Sequence, residues 1–362
     1  MKLSSKREKV KAYIIKEEKL FWNSSNEVYN NEEEVIFKSD TLLQSLKFDN
    51  PFLFISDIEG STTILGEENI NLEGVIIKKR FSKDSLFVSK EGSTKILSLK
   101  NGPVFTDFIE DRIFTFLHHN DVLYYKNNKT KILACTIPTT EYLWQYNLSE
   151  LGSYIPFYED EQKPFEVDKL LGVWENELII ACNGGLLLAI DKQTGVITRE
   201  WKGLPDQADD YLHEVFRGQL YQRGYVYQMN QTQTRIDAFF LHYYFYIDLE
   251  SGKMHLVNCK DNLKKYQIEK FKYSSAYAED EVHIYTKVTY DSRKLALDYI
   301  PTGLCAFNKQ TFKIDWQYRI DQHNDYLATD NPKLSSNHLY QLSRGNVLYI
   351  FKKEERYSDN TV

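Results

Sequence analysis

A short hairpin pattern recurs along this sequence and constrains the fold more than any other feature. The pattern is a β-rich run, a polar turn and a second β-rich run. Two early copies, residues 53–65 (LFISDIEGSTTIL) and 86–97 (LFVSKEGSTKIL), share the letters EGST around the turn. Further copies begin at residues 122, 186, 244, 304 and 347. Recurrence of this kind predicts an array of similar β units rather than several unrelated domains.

The stretch 172–201, GVWENELIIACNGGLLLAIDKQTGVITREW, shows the unit at its most complete. Asn176 and the glycine pair at 184–185 lie at turns between strand-like runs, and a Thr-Gly pair at 194–195 lies in the last turn. A strand-like run also precedes other hairpins, for example at residues 337–342. We therefore expect each unit to be a sheet of three or four antiparallel strands.

Residues 235–248, RIDAFFLHYYFYID, indicate how these sheets pack. In this run both the odd- and the even-numbered positions are apolar or aromatic. Because these two sets of side chains point to opposite faces of a strand, the pattern is typical of a strand buried on both faces. The aromatic share of the chain, 14%, favours strands in general. Antiparallel sheets packed radially bury both faces of every sheet. A β-solenoid repeats at a shorter and more regular period, and a sandwich does not need seven similar hairpins.

The sequence therefore predicts an all-β fold, a β-propeller of four-stranded antiparallel blades. The seven hairpin copies favour seven blades. Six to eight blades stay open because the register of the repeat is ambiguous: residues 132–146 resemble residues 303–318, which shifts the third copy. A blade needs roughly 40 to 50 residues, so the longer spacings carry insertions.

The propeller is expected to span residues 11–352 as a single domain. Residues 1–10 are predicted to be a flexible basic arm and residues 353–362 a flexible tail. The copy that begins at residue 347 has a weak second strand, which indicates that the last blade is short of a strand. We expect residues 11–15 to supply that strand and close the ring.

The stretch 172–201 resembles the PQQ-like repeat of quinoprotein-type β-propellers. That repeat has a strand, a Gly or Asn turn, an Ala-Ile/Leu-Asp strand end, a Thr-Gly pair and a closing tryptophan. The matching positions are Leu188, Ala189, Ile190, Asp191, Thr194, Gly195 and Trp201. The copies at 244–256 and 304–316 keep part of the pattern. The resemblance implies the fold and leaves the function open.

The repeat positions have structural explanations. Gly195 suits a left-handed turn position, and Asp191 can accept hydrogen bonds from turn amides. Trp144, Trp201 and Trp316 are expected to pack between blades.

The enzymes of this superfamily bind a quinone and calcium through a dedicated set of Asp, Glu and Asn side chains, often with a vicinal disulfide. Here no two cysteines are adjacent, and no position of this sequence matches the catalytic aspartate of those enzymes. We therefore expect no quinone and no other cofactor.

Charge and cysteine usage exclude several classes of function. The net charge of −7 disfavours nucleic acid and anionic membranes as partners. The N-terminal residues lack an apolar core of signal-peptide length, and no run approaches the roughly 18 apolar residues of a membrane span. We expect a cytoplasmic protein, either a monomer or a weak oligomer. The isolated Cys135, Cys182, Cys259 and Cys305 form no zinc pattern and are expected to be buried free thiols.

Neither a catalytic nor a metal site is predicted. His118 and His119 are adjacent, so on a strand they would point to opposite faces, and we expect both in a loop at a blade edge. His242 lies in the aromatic run and is expected to be buried. The glycine pair at 184–185 has no following helix and no lysine, unlike a phosphate-binding loop.

Long insertions interrupt the repeat at residues 147–169, 202–234, 257–281 and 317–336, and they are rich in tyrosine. Function in repeat proteins resides in such loops on a rigid scaffold. Tyrosine and arginine among acidic residues are typical of protein interfaces, whereas the simpler interpretation is that the loops pack on their own blades. The candidate interaction residues are Tyr154, Tyr158, Tyr211, Tyr221, Tyr225, Tyr273 and Tyr326.

These observations favour a non-enzymatic, intracellular propeller that binds another protein through its insertions. One form of this hypothesis is an immunity-type partner whose acidic loops cover a basic site. The alternative is a small-molecule or carbohydrate site in the central channel, recognisable by His, Asp, Glu and Arg converging from several blades. RNA binding requires a basic face, which the net charge opposes.

Overall fold

The computed structural model describes residues 1–49, 52–66, 69–82, 84–100, 102–108, 115–126, 128–137, 139–157, 159–271, 277–290, 302–320, 326–327 and 331–353. Apart from one two-stranded pair, their strands form eight antiparallel sheets in a propeller arrangement, numbered here as blades 1 to 8. The first strand of each blade lies at the centre of the ring and is called the inner strand. The fourth lies at the rim and is called the outer strand.

Blades 1 to 4 are made of consecutive strands. They comprise Ala12–Lys16, Lys19–Ser24, Glu27–Tyr29 and Val35–Lys38; Leu43–Asp49, Phe52–Asp57, Thr62–Leu65 and Ile70–Leu72; Val75–Ser82, Ser85–Lys90, Ser93–Ser98 and Val104–Asp107; and Thr115–His119, Val122–Lys126, Lys131–Thr136 and Tyr142–Asn147.

Blades 5 to 8 follow the same plan with two variations. They comprise Val167–Trp174, Glu177–Cys182, Leu186–Asp191 and Ile197–Lys202; Gln228–Met229, Arg235–Phe240, Tyr243–Asp248 and Met254–Asn258; Ile268–Phe271 with Tyr277–Glu279, His283–Tyr290, Gly303–Asn308 and Ile314–Arg319; and Lys333–Leu334, His338–Leu342, Leu348–Lys352 and Lys2–Arg7. In blade 7 two short strands pair with His283–Tyr290. In blade 8 the outer strand comes from the other end of the chain.

Ring closure differs from the expectation in its residues. The strand Lys2–Arg7 pairs antiparallel with Leu348–Lys352, so residues 1–10 contain a strand and not the flexible arm that was predicted. Residues 11–15 do not close the ring, because Ala12–Lys16 is the inner strand of blade 1. The last blade does lack a strand of its own, as the weak hairpin at residue 347 indicated. Of the predicted tail, residues 354–362 lie outside the described residues.

Eight blades are present where the hairpin count favoured seven, within the range of six to eight that had been left open. The count missed blade 1, because its third strand, Glu27–Tyr29, has only three residues. The ambiguous register also resolves. The first three copies are hairpins of second and third strands, whereas the copies from residue 186 to residue 316 pair third and fourth strands. The match of 132–146 with 303–318 is the correct alignment.

The hydrophobic core is a ring of clusters, one in each interface between neighbouring blades. Successive side chains of a strand point to opposite faces. In Leu186–Asp191, Leu187 and Ala189 pack toward blade 6, whereas Leu188 and Ile190 pack toward blade 4. The aromatic run 235–248 behaves in the same way, which confirms that its strands are buried on both faces.

Tryptophans on the outer strands of blades 4, 5 and 7 contact the following blade. The Trp144 indole N–H donates to Lys192 O in blade 5 at 3.0 Å, and that of Trp201 donates to Gly252 O in blade 6 at 2.8 Å. Trp316 packs edge-on against Phe351 of blade 8 with ring centroids 5.2 Å apart. The tryptophans therefore pack between blades as predicted.

The repeated turn presents these acceptors in a fixed conformation. Asp191 accepts hydrogen bonds from the backbone N–H groups of Gln193 and Thr194, and the Thr194 backbone and hydroxyl hydrogen bonds lower the pKa of Asp191. Gly195 has φ +75°, and a Cβ there would lie 2.7 Å from the Trp144 ring. Glycine is needed at this position for both its conformation and its size.

The connections after blades 4, 5 and 6 contain the remaining regular elements. These are the 3₁₀ turns Leu148–Leu151 and Gly224–Val226, the strand pair Ser153–Tyr154 and Lys163–Pro164, and the helices Asp210–Phe216 and Lys260–Lys265. No helix in the described part of the chain has the length and hydrophobicity that a membrane span requires. All four cysteines are free and buried, as predicted.

We predict that deleting residues 1–7 lowers the melting temperature by about 5 °C or more, since it removes the outer strand of blade 8 and opens the ring. Differential scanning calorimetry measures this. Replacing the exposed Lys2 with serine keeps the strand and should leave the melting temperature unchanged. An unchanged melting temperature in the deletion variant would show that the ring does not depend on this strand.

Gly195→Ala is expected to destabilise the protein by about 2–4 kcal/mol, because it combines an unfavourable φ with a clash against Trp144. Gly92→Ala is the matched control. Gly92 has φ +79° but no atom within 4 Å of the added Cβ. The Gly92→Ala variant therefore measures only the free-energy cost of the unfavourable backbone conformation. Chemical denaturation of both variants measures the difference, and equal losses would contradict a packing role for Trp144.

Candidate functional site: the insertion face

The insertions lie together on one face of the ring. In an antiparallel blade, the turn between second and third strands and the connection to the next blade are at the same end. The N–H of Gly184, in such a turn of blade 5, donates to Gln222 O in the connection to blade 6 at 2.8 Å. Leu327, after blade 7, bridges to Ser343 in the corresponding turn of blade 8. We call this side the insertion face and the opposite side the turn face.

Gln222 holds two insertions together over blades 5 and 6. Its side chain, with the residue only 6% exposed, donates from Nε2 to Ile155 O at 2.8 Å and accepts the Phe157 N–H at Oε1 at 2.8 Å. A second Nε2 bond, to Gln219 Oε1, is also 2.8 Å long. A buried amide with all of these partners fixes its surroundings, because breaking any of them leaves a polar group unsatisfied. The insertions after blades 4 and 5 therefore form one ordered layer.

Aromatic packing gives this layer a core. Phe157 stacks on Phe216 of the helix Asp210–Phe216 at 5.1 Å, and Tyr221 stacks on Phe240 of blade 6 at 5.9 Å. Asp209 caps the helix by accepting the Leu212 N–H at 3.1 Å, and it also accepts the Tyr243 hydroxyl at 2.6 Å. The layer thus continues the core between blades 5 and 6.

Two of the predicted interaction tyrosines pack against other side chains of the protein. Tyr221 packs among Phe157, Phe216 and Phe240. Tyr154 stacks on Phe165 at 5.6 Å, and its ring covers Gly184. For these two residues the simpler interpretation, packing on their own blades, describes their environment.

Two other predicted tyrosines are exposed on the insertion face. Tyr211, on the helix, is 49% exposed and lies beside the His242 ring at 6.1 Å. Tyr225 is 39% exposed, and its N–H donates to Asp168 Oδ2 at 2.8 Å, which fixes the backbone below the ring. Large aromatic side chains on an ordered backbone lose little entropy on binding.

Tyr326 lies apart from them, near blade 8, where the Arg344 guanidinium sits 5.0 Å from its ring. Tyr158 and Tyr273 lie outside the described residues. The structure therefore brings Tyr211 and Tyr225 onto one layer.

The insertion layer is acidic. In the connections 148–166 and 203–227, the described residues expose eight carboxylates and three basic side chains: Glu150, Glu159, Asp160, Glu161, Asp206, Asp209, Asp210 and Glu214, against Lys163, Arg217 and Arg223. Several of the carboxylates flank the helix that carries Tyr211. A surface with this charge attracts basic partners and repels nucleic acid.

Lysines on the inner strands make a second kind of contact between neighbouring blades. Lysine ammonium groups of three inner strands donate to main-chain carbonyls at the next blade: Lys47 to Lys78 O, Lys169 to Tyr227 O at 3.0 Å, and Lys333 to Tyr13 O. An inner strand has no neighbour on its channel side, so these lysines satisfy carbonyls that lack a strand partner. Burial lowers the pKa of Lys169 to about 8.

Carboxylates at the inner strands have structural partners. Asp168 accepts the Tyr225 N–H at 2.8 Å, and Glu279 pairs with Lys309 at 3.0 Å. Asp168 and Glu279 are thus engaged in contacts within the protein.

The histidine predictions are corrected in part. His118 and His119 are not in a loop: they end the inner strand of blade 4, because the turn falls at Asn120 and Asp121. Burial, with Lys79 nearby, lowers the pKa of His118. His242 is half-buried in a turn, with its ring 4.1 Å from that of Tyr243. Among the described residues no group of three His, Cys, Asp or Glu side chains could hold a metal ion.

A buried polar cluster between blades 6 and 7 escaped the sequence analysis. Asp237 is fully buried, accepts the hydroxyls of Tyr244 at 2.6 Å and Tyr277 at 3.1 Å, and lies 2.8 Å from Arg235. Burial raises the pKa of Asp237, although Arg235 acts in the opposite sense. The available signal was an aspartate, with an arginine two residues before it, at the start of a run that is otherwise apolar, RIDAFF. Arg235 and Tyr244 belong to blade 6 and Tyr277 to blade 7, so the cluster is a contact between these two blades.

Comparison with known proteins shows the fold alone. No protein-family model matches the sequence, and no curated protein matches it. The computationally designed Ika8 protein is similar in structure, with a TM-score of 0.58 at 10% identity over 97% of this chain and 98% of the design. BamB from Moraxella catarrhalis, a PQQ-like β-propeller protein, gives 0.58 at 11% identity over 98% of each chain. Sqt1 from Saccharomyces cerevisiae gives 0.57 at 11% identity over 96% of this chain and 97% of Sqt1.

Gln222→Ala should loosen the insertion layer by about 1–3 kcal/mol of local stability, because three hydrogen bonds are lost in a buried site. Hydrogen exchange of residues 153–164 and 203–220 is expected to accelerate while the inner strands stay protected. The exposed Gln207→Ala is the control and should change nothing. Equal exchange in both variants would show that the two insertions are not held together by this side chain.

Proposed function

We propose that this β-propeller is a protein-interaction platform whose insertion face binds a basic surface of another protein. The observation that carries the proposal is the pair of exposed tyrosines, Tyr211 and Tyr225, on an ordered and acidic layer. Aromatic anchors on a preformed surface supply binding energy, and complementary charge supplies orientation and a faster association rate.

The ordering of the layer supports this function. Gln222 and the aromatic stack hold the insertions in place before any partner arrives, so little ordering entropy is lost on binding. The blades beneath provide a scaffold joined by apolar cores between neighbouring blades. Function in this fold class is carried by loops on the ring, and the insertions here extend from several neighbouring blades along one arc of the ring.

Finer features of the proposal follow from the sequence. The repeat at 172–201 supports membership of the PQQ-like superfamily, and the propeller likeness to BamB agrees with it. We propose a cytoplasmic protein that works as a monomer or weak oligomer, without a cofactor and without enzymatic activity. An immunity-type role, in which the acidic layer covers a basic active site, is one form of this function and is supported by the charge of the layer.

Affinity capture from the native host with three forms of the protein tests the proposal. The first form is wild type. The second carries Asp206→Lys, Asp210→Lys and Glu214→Lys on the insertion face. The third carries Glu32→Lys, Glu175→Lys and Glu250→Lys, three exposed residues in turns on the turn face, as a charge-matched control. We expect a stoichiometric partner with wild type and the control, and a loss of at least about tenfold with the insertion-face variant.

The Tyr211→Ser and Tyr225→Ser double variant removes the aromatic anchors and keeps the acidic residues, so it measures the contribution of the aromatic side chains to binding. It should weaken the complex mainly through faster dissociation, with a smaller effect on association. Surface plasmon resonance with the captured partner measures both rates. A partner that binds all variants equally, or is captured in no stoichiometric amount, contradicts the proposal.

A further inference from the structure

The two helices of the insertion face begin next to each other. The first, Asp210–Phe216, lies in the connection after blade 5, and the second, Lys260–Lys265, lies in the connection after blade 6. Asp209 is the N-cap of the first helix, and its Oδ2 accepts a hydrogen bond from Asn258 Nδ2 at 3.4 Å, two residues before the second helix. The start of one helix is therefore in contact with the residues that lead into the other.

A turn of blade 6 connects the two helices and places an aromatic ring between them. The Cys259 N–H, at the start of the second helix, donates to His242 O in this turn at 2.8 Å. The His242 ring in turn lies 6.1 Å from the ring of Tyr211, on the first helix. The exposed side chain of Tyr211 is therefore at the boundary between the two helices.

The two helices carry opposite charges. Over residues 203–217 the exposed charged side chains are four carboxylates and one guanidinium: Asp206, Asp209, Asp210 and Glu214, against Arg217. Over residues 259–267 they are three ammonium groups and one carboxylate: Lys260, Lys264 and Lys265, against Asp261. Glu269 and Lys270, which follow, are 3.8 Å apart and compensate each other. We call the first helix the acidic helix and the second the basic helix.

Only the inner ends of the two helices compensate each other within one chain. Although burial opposes it, the hydrogen bonds from Tyr243 and Leu212 lower the pKa of Asp209, and the nearby charges of His242 and Lys260 act in the same direction. Asp209 and Lys260 thus interact where the helices meet. The charges farther along each helix point away from this junction.

The outer charges form no ion pair among the residues that the structure describes. They are Asp210 and Glu214 on the acidic helix and Lys264 and Lys265 on the basic helix. A two-fold rotation about an axis that lies in the interface, between the helices, places the acidic helix of one copy on the basic helix of another. The same rotation places the second acidic helix on the first basic helix, so the surface is complementary to itself.

We propose that two copies of this chain associate face to face through this surface, with each acidic helix against the basic helix of the other copy. The two Tyr211 rings lie near the two-fold axis and supply the apolar part of the contact. Exposed ion pairs contribute little each, and the net charge of −7 repels two copies at long range. The dimer is therefore weak and reversible. It does not depend on the binding of a different protein, and purified protein alone tests it.

Analytical ultracentrifugation of the purified full chain tests the association without any variant. We expect a reversible monomer–dimer equilibrium whose dissociation constant rises at least about tenfold between about 50 mM and about 500 mM KCl, because salt screens the contacts between the helices. A chain that stays monomeric up to about 500 μM, or a dimer that salt does not weaken, overturns the proposal.

Two charge-reversed variants locate the contact. Asp210→Lys with Glu214→Lys gives a chain with two basic helices, and Lys264→Glu with Lys265→Glu gives a chain with two acidic helices. Each variant alone should dimerise at least about tenfold more weakly than wild type, because like charges then meet. An equimolar mixture should form a one-to-one heterodimer, because opposite charges meet again at both contacts.

Recovery in the mixture is the decisive result, since a variant that had lost its fold could not recover. Two variants that stay monomeric in the mixture contradict the proposal. Glu175→Lys with Glu250→Lys makes the same change in net charge on the turn face and should keep the dimer. Loss of the dimer in this control would show that net charge, and not the two helices, controls the association.

The outcome is separate from that of the affinity capture. A chain that dimerises but captures no other protein contradicts the proposed partner binding alone. A monomeric chain that captures a stoichiometric partner contradicts the self-association alone.

Discussion

Closure of the ring is the constraint on which the rest of the structure depends. Each blade has two apolar faces, and neither is covered unless a blade stands on both sides. The pairing of Lys2–Arg7 with Leu348–Lys352 completes the last blade and brings blade 8 against blade 1, where Tyr13 and Trp22 meet Tyr340 and Ile350. Without this pairing the terminal blades would expose apolar faces to water.

The contacts between blades are directional as well as apolar. Indole N–H groups from Trp144 and Trp201 reach carbonyls in the turns of the following blades, and inner-strand lysines reach carbonyls in the same sense around the ring. Because each contact leads from one blade to the next, the blades keep one orientation. This regular ring has two different sides, with an acidic layer of insertions on one and short turns on the other.

Much of the fold could be predicted because its signals are local. Asp191, Gly195 and Trp201 fall within one hairpin, and their roles follow from turn chemistry and packing. The closing strand could not be predicted, since KLSSKR has no alternating apolar pattern: an outer strand faces solvent, and only Leu3 and Arg7 are half-buried. Its partner lies more than three hundred residues away in sequence, which no local pattern reports.

The candidate site was predictable only as a region. Composition places tyrosines in the insertions but does not say which of them meet water. Tyr221 and Tyr225 are four residues apart, yet the first packs on Phe240 and the second is exposed. Their different environments depend on Gln222 and on the turn Gly224–Val226, whose contacts join distant parts of the chain. Tertiary contacts of this kind decide exposure.

The closing strand also has a consequence for synthesis on the ribosome. Lys2–Arg7 is made before the other described strands of the ring, and its partner Leu348–Lys352 is made after them. Blades 1 to 7 can therefore form in order as the chain emerges, while the ring stays open until Leu348–Lys352 is released. During that interval the nascent protein has a free sheet edge and a free apolar blade face, so it is most exposed to aggregation and to chaperones before Leu348–Lys352 has paired with Lys2–Arg7.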